Sequence, residues 1–476
     1  MSKPDVVLDR QSDVPFHRQI YERVRDAIAR GTLHPGDRLP SARSLANQLG
    51  TARGTVDTAY AVLAGEGYIV ARGAAGTIVA PALKSPAIAA LQAKPPAVPR
   101  LLESLADIAP GTVMPFQMGL PALDAFPRKL WTRLAARHAR NLSPATMAYT
   151  DAAGHAPLRA ALTRYLAVAR GIVCAPDQVL LTAGYHGAVG LISRCLLDPG
   201  DQVWFEDPGF HLARRSLEMA GARIVPVPVD GDGIDVAAGI TRARRARFAV
   251  VTPSHQMPLG MALSLSRRLA LLAWARDAGA WIIEDDYDSE YRYAGRPLPA
   301  LKSLDRDGRV LYVGTFSKVL FPGLRLGYLV VPEDQARRFA AVAGALQPDR
   351  PALVEATVAD FMRDGHFARH IRRMRALYAE RRLALARALG AVFAGRLKVE
   401  LGAGGMHLLA RLDGEDDVTP VRKALSYGLA PEALSRMAIE ADCGRALLLS
   451  FTNIPAEQAL AQTRRLAEAI GRAATP

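Results

Sequence analysis

The spacing of apolar residues divides the chain into segments of different character. In residues 13–80, apolar side chains recur at helical spacing in three short stretches, which are separated by turns at Gly31 and Gly50. The sequence YIVARGAAGTIV then alternates between apolar and polar residues around Gly73 and Gly76, as expected of a small β-hairpin. This segment is therefore predicted to form three helices and a hairpin, the outline of a winged helix-turn-helix domain.

Residues 81–113 differ from the first segment in composition. Six prolines interrupt residues 81–113, and such a density of proline prevents continuous helix or sheet. This stretch is predicted to be a linker between the first domain, residues 1–80, and the remainder of the chain.

From residue 114 onward, short apolar runs such as QVLLT, AWIIEDD and RVLYVGTF alternate with helical stretches. This alternation predicts an α/β domain, a mainly parallel sheet covered by helices on both faces. Long helices and three further apolar runs after about residue 350 predict a smaller α+β subdomain. The expected second domain spans 114–476, with its subdomain at about 350–476.

Composition and charge refine this division. The 476 residues exceed what one hydrophobic core supports, which agrees with several domains. The net charge of +14 suggests a polyanionic partner. Residues 1–80 hold ten Lys and Arg against eight Asp and Glu, so charge alone does not identify the segment that would contact such a partner.

Cysteine usage and hydropathy indicate the compartment. The three cysteines are widely separated, which fits a reducing environment and excludes a Cys-based zinc site; no metal is expected. No apolar run approaches the roughly 20 residues that a bilayer requires. We therefore expect a cytoplasmic protein without a membrane segment.

The first segment has the features of a DNA-binding domain. In a winged helix-turn-helix, the second helix of the pair enters the major groove and the wing contacts the backbone or minor groove. A three-helix bundle with surface arginines is the alternative for any single residue. The candidate DNA-binding residues lie at the starts of the two helices and in the hairpin turn: Ser41, Arg43, Arg53, Thr55, Arg72 and Gly76.

In residues 114–476, a lysine and an acidic cluster are the candidate reactive groups. Lys318 follows the apolar run RVLYVG, close to Thr315, Ser317 and Arg325. This setting suits an internal Schiff base, with the hydroxyls and the guanidinium holding a phosphate. The apolar run AWII leads into an acidic cluster that includes Asp285. The end of such a run is the place where open α/β sheets bind ligands. An ordinary surface lysine, a solvated acidic loop and a magnesium site are the alternatives, although no GKS or GKT loop accompanies the cluster.

Further residues agree with a phosphate-bearing aromatic cofactor. The hydroxyl of Tyr287 could bond a ring oxygen. The strand-to-helix junction at Gly184, Tyr185 and His186 offers backbone amides to an anion. Phe210 follows another predicted strand, where an aromatic side chain could stack on a flat ring. Each of these signals is weak alone.

Two family resemblances organise these observations. The string from PGDRLPSARS to GAAGTIV resembles the GntR-type winged-helix domain, although Ala74 replaces the middle glycine of the family's wing. Residues from about 114 to 472 resemble fold-type I, pyridoxal 5'-phosphate (PLP)-dependent aminotransferases of class I/II. That resemblance implies that Lys318 is the Schiff-base lysine, that Asp285 partners the pyridine nitrogen and that Tyr287 bonds the ring hydroxyl. It also implies a phosphate cup and a stacking aromatic at the remaining residues: Thr315, Ser317, Arg325, Gly184, Tyr185, His186 and Phe210.

The aminotransferase resemblance extends to the subunit interface and the ligand. Tyr149 is similar to the tyrosine that reaches the phosphate of the neighbouring subunit, which implies a homodimer with shared, head-to-tail sites. Arg445 resembles the arginine that binds a substrate carboxylate, with a surface arginine as the alternative. Met257 stands where the family has asparagine, which leaves His255 and Gln256 to supply polar contacts to the ring.

A GntR-like domain joined by a linker to an aminotransferase-like domain resembles the MocR-type regulators, and the strings TPSHQMP and EDDYDSE look like that subfamily's versions. The resemblance implies a PLP-dependent transcriptional regulator. A small amino compound would form an external aldimine in place of the Lys318 linkage and change how the dimer binds double-stranded operator DNA. The alternative is a working aminotransferase with an accessory DNA-binding domain, because the residues for turnover are present.

Overall fold

The computed structural model describes residues 8–10, 12–73, 76–81, 112–295, 298–346, 351–414 and 416–471. It contains two compact units, Met1–Leu105 and Ala106–Pro476. Most of the predicted linker, and Ala74 of the predicted wing, lie outside the described residues. Among the described residues, no helix is long and apolar enough to span a membrane.

The first unit packs three helices against a small sheet. The elements are α1 (Phe16–Ala29), β1 (Arg38–Leu39), α2 (Ala42–Leu49), α3 (Arg53–Gly65), β2 (Ile69–Ala71) and β3 (Thr77–Val79). Ile20, Leu45 and Val56, one from each helix, are buried together in its core. Gly50 ends α2 in the left-handed region at φ 60°, which glycine adopts without strain. Strand β1 was not predicted, since two residues give no periodic signal; it completes an antiparallel sheet of order β1-β3-β2.

The second unit begins with an α/β layer structure. Its elements up to the last strand of the large sheet are α4 (Arg128–Arg140), α5 (Pro144–Met147), α6 (Ala156–Arg170), β4 (Val179–Thr182), α7 (Gly184–Leu196), β5 (Gln202–Asp207), α8 (His211–Met219), β6 (Arg223–Asp230), β7 (Gly233–Ile234), α9 (Val236–Ala243), β8 (Phe248–Val251), α10 (Leu265–Ala278), β9 (Trp281–Asp286), β10 (Val310–Thr315) and β11 (Gly327–Val330).

The eight strands form one mixed sheet of order β4-β11-β10-β9-β8-β5-β6-β7. Strands β10, β9, β8, β5 and β6 run parallel, while β11 is antiparallel to both neighbours and β7 is antiparallel to β6. Adjacent residues of β9 enter different cores, Ile282 on one face and Ile283 on the other. Both faces are thus covered, which explains why these strands are continuous apolar runs.

The remainder forms a smaller α+β part, as the sequence predicts. Helix α11 (Ala336–Leu346) still packs against the large sheet, where Phe339 joins the same core as Ile283. The elements of the smaller part are α12 (Ala352–Arg363), α13 (His366–Phe393), β12 (Leu397–Glu400), β13 (His407–Leu412), α14 (Val418–Ser426), β14 (Glu432–Ala433), β15 (Ala446–Ser450) and α15 (Ala459–Ala469). The four strands form an antiparallel sheet of order β12-β13-β15-β14.

The register of the large sheet places the acidic cluster, the loop with Lys318 and the start of α7 at the same edge of the sheet. Val313 of β10 lies opposite Asp285 of β9 in a parallel pair, so the acidic cluster and the loop that carries Lys318 leave the sheet on the same side. Gly327 of β11 pairs with Thr315 on one side and Thr182 on the other. The end of β4, where α7 begins, therefore lies at this edge too.

Candidate functional site

A cavity of about 240 Å³ lies at this edge of the large sheet. Predicted residues from four separate chain segments contribute to its wall, together with residues that were not predicted. The lining comprises Met118, Gly119, Tyr185, His186, Phe210, Leu212, Met257, Asp285, Tyr287, Thr315, Ser317, Lys318, Pro322, Arg325, Met406, His407 and Glu432.

Lys318 projects into the cavity from the loop after β10. Its Nζ donates a hydrogen bond to the backbone oxygen of Gly119 at 3.1 Å. Burial lowers the pKa of the Lys318 amine, while the negative charges of Asp285, Asp288 and Glu432 act in the opposite direction. Gly119 adopts φ 77°, and a Cβ atom there would overlap Lys318 Nζ, so glycine is required for this approach.

Asp285 is the carboxylate at the end of β9 and is buried. Burial raises the pKa of this carboxyl well above its usual range, and the neighbouring Asp286 adds to the effect. The charge of Lys318 and the hydroxyl of Tyr185 lower it in part. A buried carboxyl of this kind is suited to a cationic partner, which would restore its ionisation.

Hydroxyl, guanidinium and amide groups lie together at another part of the wall. Thr315 Oγ1 accepts a hydrogen bond from the backbone N–H of Ser317 at 3.1 Å. Arg325 adopts φ 48°, a conformation that costs energy for a residue with a side chain. A Cβ at Gly327 would lie 3.0 Å from Gly184 Cα, so glycine there lets β11 approach the start of α7. These donors can bind an anion.

Tyr287 is held by a buried pair behind the cavity. Its Oη lies 2.9 Å from His255 Nδ1 and donates to the backbone oxygen of His255 at 3.1 Å. His255 Nδ1 is also 3.1 Å from Asp288 Oδ2. Burial and the charge of Asp288 raise the pKa of the Tyr287 phenol, so this residue stays a hydrogen-bond donor at neutral pH.

His255 and Gln256 are not among the lining residues of the cavity. Gln256 Nε2 instead donates to the backbone oxygens of Pro208 and Met257, each at 2.8 Å. These two residues were predicted to contact the ring directly. In the structure they support Tyr287 and Met257, which do line the cavity, because their own polar atoms are engaged in the layer behind.

Three other predicted residues are not among the lining residues of the cavity: Gly184, Tyr149 and Arg445. Gly184 is the first residue of α7, directly before Tyr185. The Tyr149 side chain is 87% exposed. Arg445 Nη1 donates to the backbone oxygen of Gly444 at 3.2 Å and lies 3.7 Å from Asp442 Oδ1. These two contacts join the guanidinium to residues of its own loop, directly before β15 begins.

Five lining residues from the chain segment before α4 and from the smaller part of the second unit were not predicted from the sequence. Met118 and Gly119 come from the former, and Met406, His407 and Glu432 from the latter. His407 Nε2 is 3.0 Å from the Pro258 backbone oxygen, and burial together with the nearby His255 lowers the pKa of its ring to about 4. A glycine in the string FQMGLP was the sole signal in the sequence for the first pair.

The predicted DNA-binding residues lie on the surface of the first unit. Ser41 Oγ caps α2 by accepting from the Ser44 backbone N–H at 3.2 Å. Arg43 and Arg53 are exposed near the starts of α2 and α3, and Arg53 Nε is 3.3 Å from Asp57 Oδ2. Thr55 is half-buried in the first turn of α3, while the other two residues lie at the wing, where the Arg72 backbone N–H donates to the Gly76 oxygen at 2.8 Å.

Comparisons with known proteins agree with both units. Residues 16–79 match the gntR family of bacterial regulatory proteins, and residues 114–445 match the aminotransferase class I and II family. Among solved structures, the kynurenine aminotransferase of Pyrococcus horikoshii has a TM-score of 0.68 and 27% identity, over 76% of this chain and 91% of that one. The fold and the cavity therefore define a GntR-type DNA-binding unit attached to an aminotransferase-type unit.

Relatives that share both units specify the family. The chain is 40% identical to the probable rhizopine catabolism regulatory protein MocR of Rhizobium meliloti, over 94% of this chain and 92% of that protein. It is 35% identical to the pyridoxine biosynthesis transcriptional regulator PdxR of Corynebacterium glutamicum, over 90% of both chains. The chain belongs to the MocR-type family of GntR transcriptional regulators, which confirms the family and fold class expected from the sequence.

Proposed function

We propose that this regulator binds PLP at Lys318 and adjusts its binding to an operator when a small amino compound enters the same cavity. The observation that carries the proposal is the convergence of an amine, a carboxyl, a phenol and an anion-binding cluster in one cavity of about 240 Å³. We propose residues 1–80 as the DNA-binding domain and 114–476 as the effector domain, acting in the cytoplasm.

The residues present fit PLP on chemical grounds. The lowered pKa of Lys318 increases the fraction of free amine that can attack an aldehyde. Asp285 would ion-pair with a protonated pyridine nitrogen, and Tyr287 would donate to the ring oxygen. Thr315, Ser317 and Arg325, with the backbone amides at the start of α7, would hold the phosphate, and Phe210 would cover the ring. When bound, PLP supplies an aldehyde on an electron-withdrawing ring.

A homodimer is part of the proposal. The side chains of Tyr149 and Met147 are 87% and 72% exposed and lie two residues apart, so this surface is accessible to a partner subunit. Contact with a second copy of the chain would cover them and would bring Tyr149 to the partner's phosphate site. Two winged helices in one dimer would then read two half-sites on the operator.

The assignment of Lys318 is tested by its replacement with alanine. Purified wild-type protein incubated with PLP should show the long-wavelength absorbance of lysine-bound PLP, which sodium borohydride should fix covalently. The Lys318→Ala variant should lose both signals because no other lysine lines the cavity among the described residues. Lys398→Ala, a change on the exposed surface of β12, is the matched control and should retain both. Survival of the band in Lys318→Ala would refute the assignment.

The aminotransferase alternative is tested on the same preparations. Among the described residues, Arg325 is the arginine that lines the cavity, and the proposal assigns it to the phosphate. The position of Arg445 outside the lining therefore argues against efficient turnover of amino acids, whose carboxylate would need a second arginine. We expect no multiple-turnover transfer of amino groups from a panel of amino acids to 2-oxoglutarate. Sustained turnover would show that the chain is an enzyme as well as a regulator.

A further inference from the structure

We infer that the effector is an amine with a second hydrogen-bond donor, a hydroxyl or a second ammonium group, that binds the carboxylate of Glu432, and that the effector has no carboxylate. This inference rests on the proposed function, since it concerns the ligand of the cavity that holds Lys318. In this inference, Glu432 is the residue that determines which class of amine binds.

Glu432 belongs to the cavity because of a short strand pairing. It lies in β14, where it pairs with Leu448 of β15, and its side chain lines the wall. Its carboxylate and the Lys318 ammonium are close enough that each changes the pKa of the other. Because both groups line the same cavity, an amine that reaches the position of Lys318 Nζ lies in a cavity whose wall includes Glu432.

The Glu432 carboxylate is available to a ligand. Within the described parts of the chain, it enters none of the salt bridges or side-chain hydrogen bonds, and it is half-buried. Burial raises the pKa of this carboxyl to about 7, against the opposing charges of Lys318 and the exposed Arg436. A half-buried carboxyl without a donor gains most from a ligand that supplies one.

The cavity offers no free cation for a ligand carboxylate. Lys318 and Arg325 are the lysine and arginine that line it among the described residues, and the proposed function uses them for the aldehyde and the phosphate. His407 is neutral at pH 7 because burial lowers its pKa to about 4. A ligand carboxylate would thus enter the cavity without a cation to pair with, and an unpaired charge of this kind is costly to bury.

The remaining walls fit a carbon skeleton. Met118, Met257, Met406, Phe210 and Leu212 line the same cavity, and these flexible or aromatic apolar side chains pack against methylene groups. The polar groups for ligand recognition are therefore concentrated at Lys318 and Glu432, at two points joined by an apolar surface. An amine with a donor at its other end matches that distribution.

The test compares four amines of equal chain length on the full-length protein loaded with PLP. They are 1-aminobutane, 4-amino-1-butanol, 1,4-diaminobutane and 4-aminobutanoate, and the readouts are the shift of the cofactor absorbance and the melting temperature. We expect the amino alcohol or the diamine to bind at least about tenfold more tightly than 1-aminobutane, which corresponds to 1.4 kcal/mol. We expect 4-aminobutanoate to bind more weakly than 1-aminobutane.

Variants show whether Glu432 causes the ranking. In Glu432→Gln, the advantage of 1,4-diaminobutane over 1-aminobutane should fall at least about tenfold, while the affinity for 1-aminobutane should stay within about twofold. Glu468→Gln, an exposed change on α15, should reproduce the wild-type ranking. A preference for the amino alcohol would identify a hydroxyl as the second donor, and a preference for the diamine would identify an ammonium.

Several outcomes would overturn the inference. It fails if 4-aminobutanoate binds most tightly, if all four amines bind equally, or if Glu432→Gln weakens 1-aminobutane as much as the diamine. The last result would mean that Glu432 acts through Lys318 rather than on the ligand. If wild-type protein shows the band of lysine-bound PLP but the wrong ranking, only this inference fails; absence of the band contradicts the proposed function itself.

Discussion

Gly119 shows how a residue without a side chain controls the chemistry of another. Its backbone oxygen accepts from Lys318 Nζ at 3.1 Å, and its φ of 77° places the chain where any Cβ would overlap that nitrogen. The position of the lysine thus depends on a glycine that lies 199 residues earlier in the chain. A single distant position, which must be glycine, thus influences where the lysine lies in the cavity.

Gly119→Ala should therefore weaken PLP binding. The left-handed backbone costs a residue with a side chain about 1–2 kcal/mol, and the overlap displaces Lys318, so we expect at least about a tenfold loss of affinity. Spectroscopic titration of the protein with PLP measures it. Gly190→Ala, inside α7 with open space around the new methyl group, is the control and should keep wild-type affinity. Equal affinities in the two variants would contradict this role of Gly119.

The cavity residues at the edge of the large sheet were predictable from the sequence, whereas Glu432 in the smaller sheet was not. Asp285, Thr315 and Lys318 follow buried strands whose apolar runs are visible in the sequence, and the ends of parallel strands meet at one edge. Glu432 lies on a strand of two residues, which leaves no periodic signal. The sequence predicts His255 as a ring contact. Its position in the motif does not reveal that its Nδ1 atom contacts Tyr287 and Asp288 instead.

Helix α13 is the element that supports the loop after Lys318. His370 Nε2 donates to the backbone oxygen of Val319 at 2.9 Å, directly beside the lysine. Further along, the Tyr378 hydroxyl accepts from the backbone N–H of Ala122 at 2.9 Å, close to the segment that contains Gly119. One 28-residue helix thus fixes two separate parts of the cavity wall.

His370 makes this support sensitive to acid. Burial lowers the pKa of its ring from 6.5 to about 4, so the unfolded chain takes up a proton at a higher pH than the folded protein. The contribution of His370 to the free energy of unfolding therefore falls as the pH decreases from about 6.5 towards 4. In His370→Gln this contribution is absent, while the amide still donates to Val319. Between pH 7 and pH 5, the wild type should lose about 1–2 kcal/mol more than the variant.

Urea denaturation followed by tryptophan fluorescence measures the difference. All four tryptophans lie in the second unit, at Trp131, Trp204, Trp274 and Trp281, so the signal reports the unit that contains α13. Parallel pH profiles of wild type and His370→Gln would contradict the assignment of this histidine as the acid-sensitive support.

At the scale of the whole molecule, the proposed function requires that a ligand cavity in one unit be linked to DNA recognition in the other. The thermodynamics of that link do not depend on its route. If an amine changes the affinity for the operator by some factor, the operator changes the affinity for the amine by the same factor. A ligand that binds both states equally shifts nothing, however tightly it binds.

This reciprocity gives a quantitative prediction for the full chain. The amine that ranks first in the spectroscopic titration should change operator affinity, measured by fluorescence anisotropy at fixed salt, by about 5–150-fold. The same amine, titrated by absorbance with and without saturating operator, should show the same factor within error. Unequal factors would show that the amine also acts at a site other than the Lys318 cavity.

The short strand β7 has a consequence for how the protein behaves at high concentration. The large sheet ends at β7, whose two residues pair with β6 only at Val229 and Asp230, and the opposite end is the four-residue strand β4. Strand β7 covers only the last two residues of the eight-residue β6. In the stretch before them, Pro226 and Pro228 have no N–H to donate, and their backbone oxygens already accept from Arg242 and Asp235. Both edges therefore give another chain little backbone to extend. Polymerisation by strand addition should therefore be slow for the native protein, and turbidity in concentrated samples should instead follow the population of unfolded chains.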